Sequence, residues 1–141
     1  MTVATHWEHF PHQADVGVRG IGRTLAQAYE QAALAMAAAI VDVATVEPKT
    51  GIQIICDAPD AELLLVDWLN ALVYEMATRS MLFSRFEVQL QANHLSARAW
   101  GEAIDMARHH PATEVKGATY TALKVMQQPD GSWLAQCVVD V

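Results

Sequence analysis

Leu64-Leu65-Val66-Asp67-Trp68-Leu69-Asn70-Ala71-Leu72-Val73-Tyr74-Glu75-Met76 is the stretch that decides the fold of this chain. Leu64, Leu65, Trp68, Leu69, Leu72, Val73 and Met76 recur at helical spacing, which predicts a helix over 61–79 on which the core must centre. Asp60, following Pro59, is its natural N-cap. At the helical advance per residue, Asp67, Asn70 and Glu75 fall within an arc of roughly 140° on the opposite side. That face is either solvated or places two carboxylates and an amide together.

Working outward, Thr24 caps a second helix over about 25–41, whose inner face of Ala28, Tyr29, Ala32, Ala33, Met36 and Ile40 suits close approach to a sheet. Ile52, Ile54 and Cys56 mark a strand between the helices. Residues 5–12 read as an edge strand ended by Pro11, and Val16 and Val18 open a glycine-rich strand containing Gly17, Gly20 and Gly22. Downstream, Phe86, Val88 and Leu90 form a half-exposed hairpin with Leu95, Ala97 and Ala99 around Ala92-Asn93, ended by Gly101-Glu102. A polar segment through Arg108-His109-His110-Pro111 leads to a last hairpin, Thr119 to Met126 and Trp133 to Val139, turning at Pro129-Asp130-Gly131. This order predicts an α+β protein with two helices covering largely antiparallel sheet.

With 141 residues, 52% of them hydrophobic and 18% charged, the whole chain, 1–141, is expected to form a single soluble domain. No apolar run approaches the ~20 residues that span a bilayer, so no membrane partner is expected. Nothing resembles an export signal, and Cys56 and Cys137 lie apart within apolar runs, as reduced thiols would. The expected location is the cytoplasm. A net charge of −7 opposes attraction to phosphate backbones, so stable direct binding of nucleic acid is not expected; partners should be proteins or cations.

Two acids stand out against this frame. Asp15 lies in His12-Gln13-Ala14-Asp15-Val16-Gly17-Val18, and Asp140 ends the chain in Val138-Val139-Asp140-Val141, beside the α-carboxylate. A strand-end aspartate alone is ordinarily a solvated turn residue. A pair at opposite ends of one small domain suggests a built site, and His12 gains interest from its proximity to Asp15. His109 and His110 lack the second nitrogen or sulfur cluster that a zinc site requires.

Six segments together resemble the archease family: His12-x-Ala14-Asp15-Val16-Gly17, Gly22-x-Thr24-Leu25, Leu64-x-x-Asp67-Trp68-Leu69-Asn70-x-Leu72, Gly101-Glu102, Glu114-Val115-Lys116-Gly117-Ala118-Thr119-Tyr120, and Asp140-Val141. The resemblance runs nearly end to end. It implies two fused strand-helix-strand-strand modules and a protein cofactor, not itself an enzyme, that assists an RtcB-type RNA ligase. Such a cofactor promotes metal-dependent guanylylation of the ligase and its repeated turnover in tRNA splicing or RNA repair. The family's divalent cation site maps onto Asp15, Asp140 and Val141, and hard carboxylate oxygens suit Ca²⁺ or Mg²⁺. His12, Asp67, Asn70, Glu75, Glu102, Lys116 and Tyr120 become candidates for supporting that site or facing the partner. The chain departs from the family at Thr121, where histidine is usual, so no role of that histidine is carried over. The alternative function is a metal-dependent hydrolase, with Asp15 and Asp140 holding a cation that activates water and His12 as base.

Overall fold

The computed structural model describes residues 5–141. Its principal elements are β1 (His6–His12), β2 (Asp15–Gly22), α1 (Leu25–Ile40), β3 (Thr50–Asp57), α2 (Ala61–Arg79), β4 (Met81–Gln91), β5 (His94–Ala103), α3 (Met106–His109), β6 (Gly117–Ala118), β7 (Lys124–Gln127) and β8 (Trp133–Asp140). A one-turn 3-10 helix, Val43–Thr45, follows α1. The strands form two antiparallel sheets: a five-stranded one ordered β1-β2-β8-β6, with β7 also on β8, and a three-stranded one ordered β3-β5-β4. Both helices pack against both sheets, and buried residues from all these layers form one continuous cluster.

The predicted helices form where their caps stand. Thr24 accepts the Gln27 N–H at 3.1 Å and Asp60 Oδ1 accepts the Leu63 N–H at 2.9 Å, each satisfying an orphan donor of the first turn. α2 stops at Ser80, which turns left-handed at φ 51°. Trp68 is fully buried and its indole N–H donates to the Tyr29 carbonyl at 3.1 Å, joining the two helices. With Leu64, Leu65, Leu69 and Leu72 also buried, this face contributes about 1.5–3 kcal/mol for each fully buried side chain. Under α1, a Cβ at Gly20 would stand 2.1 Å from the Ala28 carbonyl oxygen and 2.3 Å from the Ala32 nitrogen. The glycine and the alanine face therefore bring helix backbone onto β2 directly.

The α+β class and the strand-helix-strand-strand units are present, but the units are nested. β3-α2-β4-β5 is continuous in sequence and builds the three-stranded sheet, whereas β2 and α1 wait for β6, β7 and β8, which follow that inserted unit. Four local expectations are corrected. Pro11 does not end the first strand: β1 continues to His12, because its free edge needs no donor from the proline nitrogen. Gly101-Glu102 lies inside β5, which pairs on to Ala103. The polar crossing contains a turn of helix, α3, with Asp105 as its cap. The strand expected over Thr119 to Met126 forms only from Lys124 onward, as β7: residues 119–123 turn instead, with Ala122 at φ 53°, and the short β6 precedes them.

Candidate functional site where the β1–β2 turn meets β8

The pairing of β2 with β8 runs to Val16–Val139, so Asp15 and Asp140 stand one step beyond it, at the same edge. The β1–β2 hairpin sets His12 opposite Asp15. Alternation places Asp15 on the same sheet face as Gly17 and Arg19, away from α1, which rests on the Gly20 side. The backbone N–H of Val141 donates to Asp15 Oδ1 at 3.2 Å, the Val141 side chain packs against the core, and the Lys116 N–H donates to the Asp140 carbonyl at 2.8 Å. The chain end is therefore tied on two sides. Asp15 is half-buried and Asp140 exposed.

Phe10 lies over Gly17 on this face, with the Arg19 guanidinium 4.8 Å from its ring centroid. Arg19 donates to Glu8 and Gln136, each at 2.8 Å. Its hydrogen bond, with that of His6, holds the Glu8 carboxyl below the usual range. Arg19, the cation of β2, is thus engaged by Glu8.

The other candidates divide. Asn70 reaches β6: Oδ1 accepts the Ala118 N–H at 2.8 Å and Nδ2 donates to the Ala118 carbonyl at 3.4 Å. Asp67 is exposed, and its charge adds to burial in raising the Cys56 pKa, while Glu75 pairs with Arg79 at 2.5 Å. On the helix face expected to gather Asp67, Asn70 and Glu75, Asn70 is therefore engaged by β6 and Glu75 by Arg79. The Lys116 side chain is exposed, as is Tyr120, between β6 and β7.

Glu102 lies on the other sheet and is only 6% exposed. Its carboxylate accepts from Arg108 Nη2 at 2.6 Å, the Glu47 N–H at 2.7 Å and His109 Nε2 at 3.2 Å. Because the Asp105 N–H donates to His109 Nδ1 at 2.9 Å, the ring proton belongs on Nε2, facing Glu102. The Arg108 and Glu47 hydrogen bonds pull the Glu102 pKa down to about 2. This buried clamp, absent from the sequence reading, had one signal: an acid at the end of an apolar strand, followed by Arg108-His109.

Chemically, the place where the β1–β2 turn meets the end of β8 offers two aspartate carboxylates, an oxygen of Val141 and a neighbouring imidazole. Among the described residues, no three His, Cys, Asp or Glu side chains gather in a metal-holding group. A cation here would need an oxygen of Val141 as third protein donor, with water completing the shell; an all-oxygen set of this kind fits Ca²⁺ or Mg²⁺. The thiols are not nucleophiles, since burial raises Cys56 to about 11 and Cys137 to about 12. A groove of about 470 Å³ runs between Val73 and Met76 of α2 and Ile104, Met106 and Pro111, and Lys116 also lines it.

Among the described residues no helix is long and apolar enough to cross a membrane. The model of the Archease protein family matches residues 7–141. Protein archease of Pyrococcus furiosus is 40% identical over 139 residues, covering 96% of this chain and 98% of its own, and Protein archease of Sulfolobus acidocaldarius is 34% identical, covering 97% and 99%. The solution structure of Methanobacterium thermoautotrophicum protein 1598 superposes with a TM-score of 0.84 at 31% identity, covering 96% of this chain and 98% of that one. From a family match that reaches the last residue, and relatives sharing a third or more of their sequence over nearly full length, the chain belongs to the Archease protein family.

Proposed function

We propose that this protein is a non-catalytic cofactor of an RtcB-type RNA ligase, promoting the ligase's metal-dependent guanylylation so that it turns over repeatedly in tRNA splicing or RNA repair. The observation that carries the reading is the hydrogen bond from the Val141 N–H to Asp15, which gathers Asp15, Asp140 and Val141 at one sheet edge in a member of this family. The acidic surface favours a protein partner over direct capture of RNA.

In this reading Asp15, Asp140 and an oxygen of Val141 hold Ca²⁺ or Mg²⁺. When bound, the ion neutralises the clustered charge and offers its remaining coordination positions to oxygen donors of the partner or its substrate. The chain's own residues supply the frame. Asp15 holds the Val141 N–H, Lys116 holds the Asp140 carbonyl, and both bonds keep the carboxylates at the rim where a partner can reach them.

The test uses the purified chain with and without a purified RtcB-type ligase. Faster transfer of labelled guanylate from GTP to the ligase, with no phosphoester hydrolysis by the chain alone, supports the reading. Metal-dependent phosphoester hydrolysis without a ligase would favour the hydrolase and contradict it.

A further inference from the structure

We infer that Asn70 is a positioning residue for the Asp15–Asp140 site: its carboxamide acts on β6 as a substitute neighbouring strand, and through β6 sets where Asp140 and Val141 lie. The inference rests on the cation reading above and concerns the same site.

β6 is two residues long, Gly117 and Ala118, and one side of it pairs with Asp140 and Val139 of β8. A strand so short has little hold of its own. On its other side, where a further strand would supply one acceptor and one donor, the Asn70 side chain supplies both, to the N–H and the carbonyl of Ala118. The helix makes this possible. Trp68 and Leu69, the two residues before Asn70, are fully buried, so the backbone carrying the carboxamide is fixed by the core.

Gly117 completes the arrangement, because a Cβ there would stand 3.2 Å from Asn70 Oδ1, tighter than most such contacts. Beyond it, the Lys116 N–H bonds to the Asp140 carbonyl at 2.8 Å and the Thr119 N–H to the Val138 carbonyl at 3.0 Å. Position therefore passes from α2 through Asn70, β6 and Asp140 to Val141, whose N–H meets Asp15. Glu75, paired with Arg79, has no part in this path.

The experiment is calorimetric titration of the full chain with Ca²⁺ for unaltered protein, Asn70→Ala, Gly117→Ala and the double variant, each checked for cooperative thermal unfolding. Asn70→Ala and Gly117→Ala should each weaken Ca²⁺ binding by about tenfold, the scale on which groups that orient a ligand act. The double variant should bind no worse than Asn70→Ala, since a methyl at position 117 then has no carboxamide to displace. Should Asn70→Ala fail to fold, Gly117→Ala alone decides, as it keeps every hydrogen-bonding group. Binding of Ca²⁺ by the variants as tightly as by the unaltered protein overturns this inference and leaves the cation reading standing; absence of both Ca²⁺ and, in a parallel titration, Mg²⁺ binding by the unaltered protein overturns both.

Discussion

The N–H of Val141 and Oδ1 of Asp15 meet at 3.2 Å across 126 positions of sequence. The bond uses backbone on one side and one carboxylate oxygen on the other, so the second oxygen of Asp15 and the exposed Asp140 side chain remain for a ligand. This division between holding the chain end and presenting charge governs what each substitution should do.

Asp15→Asn keeps an oxygen acceptor for the Val141 N–H while removing the charge, and Asp140→Asn removes charge from an exposed side chain. Both should unfold within about 0.5 kcal/mol of the unaltered protein, as substitutions away from core features do. Both should abolish stimulation of the ligase. Denaturant titration and a guanylylation assay check the pair; full stimulation by either variant at limiting metal would remove that carboxylate from the site.

A Gly-Ser tail after Val141 converts the terminal carboxylate into a neutral peptide carbonyl and leaves Asp140 and β8 in place. Affinity for Ca²⁺ or Mg²⁺ should fall, and added metal should restore ligase stimulation. Asp15→Asn should be harder to rescue, because its lost charge belongs to a side chain inside the site. Equal cation affinity in tailed and untailed protein, measured by calorimetry, would place the terminus outside the coordination shell.

Glu102 gives the fold an acid-sensitive clamp. Its carboxyl titrates at about 2 in the folded protein against 4.5 without its partners, so the folded state prefers it ionised. The contribution is fully present above about 4.5 and disappears as the pH falls toward about 2. Glu102→Gln should therefore lower the melting temperature at neutral pH, and the gap from the unaltered protein should narrow steadily through that window. A gap independent of pH would mean that the clamp acts by shape rather than charge.

Gly20→Ala tests the close docking of α1 on β2. The added methyl meets helix backbone at the Ala28 oxygen and the Ala32 nitrogen, neither of which can swing aside as a side chain would. The substitution should cost about 1–3 kcal/mol in denaturant unfolding, the scale of overpacking a filled core. An unchanged midpoint would show that α1 can shift along the sheet.

Much of the fold was legible because its signals are local. Asp60 and Thr24 mark helix starts that the structure reproduces, and the Ala92-Asn93 turn stands where the alternation of Phe86 to Leu90 and Leu95 to Ala99 requires. What was not legible depends on distant partners or on strain without a residue signature. The nesting of one unit within the other is decided by β8 choosing β2, a pairing that neither strand announces. The break between β6 and β7 rests on Ala122 at φ 53°, which alanine does not advertise. Of the candidate residues, Asp15, Asp140 and Val141 were visible as strand-end acids and a terminus. The tie between Asn70 and Ala118 was not, because a helix face read alone cannot reveal which of its polar residues will meet a strand.

The most direct measurement is the number of ligations completed per RtcB-type ligase molecule, with GTP and divalent metal in excess, in the presence and absence of this protein. The account predicts many ligations per ligase with the protein present and about one without it, since guanylylation then limits each further turn. The same low count in both reactions, with the protein folded and cation-loaded, would contradict it.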